Sequence, residues 1–364
     1  MSRALARSTD MFSGLSAGDQ PSRLLRIYAA LAGAVVAYPW LLAGFYLSGR
    51  KAVSGGPEAV FDWVGVAVFL TTVFAVPAFA FLVAIKNNGA PGKIAGPEEI
   101  AARRAAHLAV AAPPLFTLTG VALAIFNLPS LGILPWTLGW IAIFATLASL
   151  HRNGAPTSFI APAASPALRV AHGVSAALII LCFLALHLAN HLVGLWTPDA
   201  HKAIMNVLRS WYRAPLVQPL LVLAVLFQVC SGLALLRHRI ISCNDFFGTL
   251  QTMAGAYLAA FLASHLTAAF ILARWKGGID TNWDWAVGNP AGLFADPWNV
   301  RLIPHYVIAV AAVVAHAACG LRVVLLANGV DEGHAGALAR AIVSVGTLLA
   351  LAIMAGMLGL HLGR

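Results

Sequence analysis

Nine long apolar runs, separated by short segments rich in Gly, Pro, Asn and charge, organise the chain. They lie near 24–48, 60–85, 106–127, 134–150, 170–195, 215–237, 249–273, 304–327 and 339–362. Each approaches or exceeds the roughly 20 residues that carry a helix across a bilayer. The runs are continuous rather than alternating, so they predict helices and not barrel strands. Lipid cannot satisfy backbone polar groups, and only these two architectures keep them paired. The expected fold is therefore all-α, a polytopic transmembrane helical bundle.

Composition sharpens this reading. Hydrophobic residues make up 60% of the chain and charged residues 10%, with a mean hydropathy of +0.83. A soluble domain would carry about 25% charged residues. The net charge of +10 points to Lys and Arg in cytoplasmic loops, not to nucleic acid. The basic segments alternate: the amino terminus, 86–104, 151–169 and Arg237–Arg239. That alternation predicts a cytoplasmic amino terminus, although Arg50, Lys51, Lys202, Arg209 and Arg213 interrupt it. Residues 1–22 are polar and basic and show no cleavable signal peptide. Cys182, Cys230, Cys243 and Cys319 form no close pair, which suits small apolar fillers.

The stretch 153–167, with Gly, Pro and Ser, is the expected linker. It separates a four-helix membrane region (1–152) from a five-helix one (168–364). Arg104-Ala-Ala-His107 and Arg169-Val-Ala-His172 echo one another at the starts of two spans; duplication and shared helix-start composition both explain two such short matches. The segments 196–214 and 274–303 are expected as outer loops. Trp275, Trp283, Trp285 and Trp298 in the second suit an interfacial belt.

The chemistry lies in intramembrane histidines, since ligand-capable side chains in lipid are costly and usually functional. His187 and His191 fall on the fifth span, His265 on the seventh and His316 on the eighth. Counted from the same membrane face, His187 is about 17 residues in and His265 about 16, or roughly 25 and 24 Å at 1.5 Å per residue. Two imidazoles at one depth on different helices can ligate one haem iron from opposite sides. A lone intramembrane histidine is as often an interhelical hydrogen-bond partner; the depth match favours ligation here. Gln228 and His316 match at a second depth, and His172, near the start of the fifth span, is a further cofactor-binding candidate. His191, on the same face as His187, is an alternative ligand or a propionate or quinone partner. His201, His305, His334 and His361 are expected at the interface. Arg169 and Arg322, near cytoplasmic ends, could pair with haem propionates or act as snorkelling anchors. Gly232, Gly255 and Gly320 allow close backbone approach.

These motifs resemble a known family. His172-Gly-Val-Ser through Leu186-His187-Leu188-Ala189-Asn190-His191 is similar to the opening helix of the dihaem cytochrome b anchor of succinate dehydrogenases and fumarate reductases. Phe227-Gln228 through Gly232-Leu233, Leu250-Gln251 through His265, and Ala315-His316 through Gly320-Leu321 follow its next three helices in order. The resemblance covers about 168–362. It implies haem b bound by His187 and His265 near the outer face, and His316 as a ligand of an inner haem. Gln228 stands where that haem's second histidine belongs, which leaves two readings open: no inner haem, or one held through His316 alone. The acidic residue early in the family's second helix is replaced by Gln218. The implied function is electron transfer with the quinone pool in a bacterial inner membrane. Flavoprotein and iron–sulfur subunits would be partners, because this chain carries no motif for either group. An alternative is a redox-sensing or adaptor module on the same fold, with one haem or none. A proton-relay transporter ranks lower, because Asp and Glu lie almost entirely in loops.

Overall fold

The computed structural model describes residues 20–56, 59–88, 96–153, 165–242 and 245–363. Among them the chain is helical, with no strand. Helices α1 (Gln20–Ser54), α2 (Ala59–Lys86), α3 (Pro97–Val110), α4 (Ala112–Ile125) and α5 (Leu134–Arg152) form the first part. In the second part, α6 (Pro166–Ile179) runs through a π-helical turn (Ile180–Leu184) into α7 (Ala185–Val193), followed by α8 (Pro198–Tyr212) and α9 (Val217–Ser242). Helix α10 (Phe246–Leu266) continues as a π-helical stretch (Thr267–Lys276). The short α11 (Trp283–Ala286), then α12 (Leu302–Ala327) and α13 (Glu332–Met357), complete it.

Eight of these helical units are long and apolar enough to cross a membrane, and the α3–α4 pair makes a ninth. The protein is an integral membrane protein. The third span is broken: α3 and α4 meet at 52°. Pro113 and Pro114 occupy the first turn of α4; neither can donate a backbone hydrogen bond, and their rings clash with the preceding turn. The ninth span begins at Glu332, earlier than the expected 339, because Asp331 caps it by accepting from the Gly333 and His334 amides.

The two parts share their cores. One cluster runs from Leu24, Val35 and Tyr38 of α1 through Val73 and Ala106 to Met253 and Ala256 of α10. A second joins Phe45 and Val66 to Trp283, Leu293, Ile303, Ile353 and Met357. Helix α10 touches α2, α3, α4, α9 and α12. Helix α6, by contrast, buries none of its residues and packs mainly on α9. Of the expected linker, residues 154–164 lie outside the described residues.

Both expected outer loops are ordered, and this corrects the sequence reading. Segment 196–214 is helix α8, capped by Thr197, which accepts from the Ala200 amide at 3.0 Å. Residues 277–300 fold back over it as a cap. Asp280 pairs with Arg209 at 2.9 Å and with Arg213 at 3.4 Å, and Asp284 pairs with Lys202 at 3.1 Å. Lys276 donates to the carbonyls of Ala124 and Ile125, where the dipole at the end of α4 favours a cation. Trp283 is not in an interfacial belt. It is 3% exposed and packs on Gly194, where a Cβ would collide with its ring. Trp275, at 80% exposure, remains free for an interfacial role.

Candidate functional site

The histidines gather at two levels of the bundle. At the cap end, the rings of His187, His191 and His201 form a chain, with centroids 4.7 and 5.2 Å apart, ending on Trp283 at 4.5 Å. Facing it, His265 stacks on Phe261 at 5.4 Å, and Phe261 meets His305 at 4.7 Å. Tyr306 closes this side, 6.3 Å from His265 and 5.3 Å from His305. His187 and His265 lie within electrostatic range of each other.

This end is poor in hydrogen-bond partners. His187 and His265 are half-buried, and neither ring bonds to a described residue. The Nδ1 atoms of His191, His201 and His305 are buried and unpartnered, as is Asn190 Oδ1. Buried polar atoms nearly always find a partner, and leaving one bare costs about 1–3 kcal/mol. Three imidazoles at this end thus keep a bare Nδ1, and His305 Nε2 reaches only Ser264 Oγ, at 3.5 Å.

His201 and His305 are buried within the protein, 2% and 1% exposed. His201 Nε2 accepts from Asn190 Nδ2 at 3.1 Å. Burial above all, then the charges of Arg209 and Lys202, pushes its pKa down from 6.5 to about 4. The unfolded chain therefore binds this proton at a higher pH than the folded one. Stability contributed by neutral His201 is complete above about pH 6.5 and declines as pH falls toward 4. We expect the melting temperature to drop over that window, and less steeply in His201→Gln. Equal slopes in the two proteins would show that the cap does not hold His201 neutral.

Arg301, which drew no notice in the sequence, is 4% exposed with bare Nε and Nη2 atoms. It lies one turn before His305, with its guanidinium 2.9 Å from the centre of the Trp298 ring, and makes no ion pair with a described residue. Nearby, the buried Tyr38 hydroxyl is also unpartnered.

The second level brings α6, α9, α10 and α12 together. The His172 and His316 rings stand 6.3 Å apart at 79°. His172 Nδ1 meets Ser231 Oγ at 2.8 Å, and His316 Nδ1 meets the Gln251 carbonyl at 2.9 Å. Gln228 does not face His316, which corrects the depth-based pairing. Its Nε2 donates to the His172 carbonyl at 2.8 Å and to Ser175 Oγ, one turn away from the imidazoles. Gly232 and Gly255 make room for the rings: a Cβ would lie 3.3 Å from His172 Cε1 and 3.1 Å from His316 Cε1. Gly320 faces only Gln251, at 3.7 Å.

Of the two arginines expected as propionate partners or snorkelling anchors, Arg322 is already paired within the protein. Arg322 is 7% exposed and is held by Glu332 at 2.8 Å and Asp245 at 3.7 Å, with Phe247 beneath it. Arg169 is exposed on α6. Gln218 accepts from Arg274 at 3.3 Å. His334 is exposed beside Asp331, and His361 bonds the Gly194 carbonyl at 3.0 Å.

His107 shows what a purely structural histidine looks like in this bundle. Both its nitrogens are bonded, Nδ1 to the Arg103 carbonyl at 2.7 Å and Nε2 to Thr252 Oγ1 at 2.9 Å. Among the described residues, no three or more His, Cys, Asp or Glu side chains converge as a bare-ion site. The chain matches no protein-family model, no curated protein and no solved structure.

Proposed function

We propose that this protein is a b-type cytochrome of the membrane that exchanges electrons with quinone. The observation that carries the reading is the pair His187 and His265: half-buried, on two helices, within range of one another and without hydrogen bonds. An iron already held by a porphyrin needs only one or two ligands from protein, so the lack of a three-ligand cluster is compatible with it. The residues fit the group in a further respect. A haem brings propionate carboxylates, and Arg301, one turn before His305, is a buried cation whose Nε and Nη2 atoms are bare. His187 and His265 would hold the iron, Arg301 would meet a propionate, and Phe261, Tyr306 and Phe183 would supply apolar walls.

When bound, haem b supplies a one-electron ferric–ferrous couple; the chain supplies ligation, burial and orientation. His191, whose ring stacks edgewise on His187, is the nearest proton carrier for quinone chemistry at the cap end. The resemblance extends the proposal to a bacterial inner membrane, a cytoplasmic amino terminus, and flavoprotein and iron–sulfur subunits docked at the end away from the cap.

The purified, detergent-solubilised protein tests this directly. We expect a b-type α-band in the reduced-minus-oxidised spectrum, stoichiometric haem in a pyridine haemochrome assay, and reduction by added menaquinol. A monodisperse, helical, haem-free protein from haem-replete cells would end the proposal and leave the adaptor alternative.

A further inference from the structure

We infer that Tyr38 and Arg301 together bind one carboxylate, so that the first part of the chain (α1–α5) supplies a binding residue to the cap end. Naming that carboxylate as a haem propionate rests on the cytochrome reading above; the set of donors does not. Tyr38, Phe116 and Trp136 all lie outside 168–362, so the family resemblance assigns them no role.

The backbone of α1 is the first argument. Pro39 lies inside this helix and has no N–H to give the Val35 carbonyl, one turn back. Trp136 Nε1 of α5 donates to that carbonyl instead, at 2.9 Å. The Trp136 ring also meets Tyr38, with centroids 6.5 Å apart, and Phe116 at 5.3 Å. The turn that carries Tyr38 is thus fixed from α5, and its side chain is fully buried.

The inventory of donors is the second. A buried phenol normally finds a partner, as Tyr257 does: its hydroxyl donates to the His305 carbonyl at 3.0 Å. Tyr38 Oη has none. Helix α1 touches the turn Asn299–Arg301, and Tyr38 and Arg301 share Phe116. The Tyr38 ring centre is 5.9 Å from that of Phe116, and the Arg301 guanidinium is 5.8 Å from it. The two side chains lie within electrostatic range of one another. On Arg301 the bare atoms are Nε and Nη2. They form one edge of the guanidinium, and two parallel N–H bonds from such an edge match the two oxygens of a carboxylate. Nη1 lies instead against Gly120, where a Cβ would stand 2.7 Å from it.

Charge is the third. Two guanidinium N–H groups and a phenol hydroxyl can all donate, and a carboxylate has lone pairs enough to accept from all of them. A neutral carbonyl would satisfy fewer and leave the cation unmatched. Asp296 acts on Arg301 only at longer range, and its Oδ1 is taken by the Trp298 and Asn299 amides.

The test uses the full-length purified protein and Tyr38→Phe, which deletes the hydroxyl and leaves the ring against Phe116 and Trp136. Tyr38→Phe should pass haem to an acceptor globin about tenfold faster than the wild type, the usual worth of a hydrogen bond to a charged group. In an Arg301→Met background the same change should do much less, because two partners of one carboxylate are coupled. With haem isotope-labelled at its propionate carboxyls, the labelled carboxylate band in the redox-difference infrared spectrum should shift in Tyr38→Phe; a role in packing alone would not move it. A free carboxylate is probed with acetate on haem-free protein. If acetate raises the melting temperature of the wild type and not of Tyr38→Phe while the labelled band stays in place, the site stands with a free carboxylate as its occupant. Tyr38→Phe matching the wild type in haem transfer, labelled band and acetate response overturns the site and leaves the cytochrome proposal standing. A folded wild type without haem ends the cytochrome proposal, and the acetate response alone then decides the site.

Discussion

Removing either imidazole of the cap-end pair should cost the protein one haem outright. In His187→Ala or His265→Ala the iron loses one of two protein bonds, and no nearby side chain can replace it without a helix rotating. His191, a turn further along α7, has its ring crossed with that of His187 at 84° and is backed by His201. His305 is held on the other side between Phe261 and Tyr306. We therefore expect the b-type α-band to fall by the full contribution of one haem in each variant, with no further fall in the double variant. Imidazole added at millimolar concentration should restore part of it by entering the vacated volume. His107→Ala gives the contrasting result. It leaves Thr252 Oγ1 without its ring partner in a fully buried contact, so it should lower stability by about 1–3 kcal/mol while haem per folded chain stays unchanged. Haem retained at wild-type level in both His187→Ala and His265→Ala would remove the basis of the assignment.

The spans were legible because lipid leaves few alternatives: long apolar runs in a chain with 10% charge have to be helices. Their number and order follow from the sequence alone. What lay between them was read less well. Segment 196–214 looks like a loop because it carries Lys202, Arg209 and Arg213. Yet Ile204, Val207, Leu208 and Trp211 recur at the i, i+3, i+4, i+7 spacing of an amphipathic helix, and α8 is a helix with Ile204, Val207 and Trp211 exposed along it. The reading of 106–127 as one continuous span missed the break that Pro113-Pro114 makes between α3 and α4. The fold-back of 277–300 had no comparable signal, because its burial depends on distant partners: Asp280 and Asp284 on α8, and Gly194 beneath Trp283.

At the site, counting residues along a helix gives depth but not rotation. Depth alone matched Gln228 with His316. The structure turns Gln228 toward the α6 backbone and brings His172 to His316 instead, a choice of azimuth that axial counting cannot see. The π-helical turn at Ile180–Leu184 adds to this, since it changes which face of α7 follows from a given face of α6. Such turns cluster at functional sites, and this one precedes His187 by a single turn. Arg322 was misread for a related reason. From its position near a helix end it looks free, but Asp245 and Glu332, brought in from the starts of two other helices, hold it.

Arg301 makes the sharpest prediction for the cap end, because its effect should change sign with the ligand. A guanidinium that is 4% exposed, with Nε and Nη2 bare, carries a desolvation cost that the Trp298 face only partly offsets. With no carboxylate in direct contact and only Asp296 acting on it at longer range, replacing it by an apolar side chain of similar length should be stabilising; substitutions of buried charge by apolar groups often gain about 1–4 kcal/mol. With a propionate in contact, the same substitution strands a carboxylate in a low-dielectric site and is destabilising. Arg301→Met should thus melt higher than the wild type when both are produced without haem, and should melt lower and release haem faster when both are loaded. Arg301→Lys keeps the charge but not the two-pronged geometry, so it should fall between the two in haem retention. Thermal melts of the four preparations, with haem transfer to an acceptor globin as the second measure, separate the cases. A shift of the same sign in loaded and haem-free protein would mean that Arg301 serves packing against Trp298 and Phe116 and meets no carboxylate.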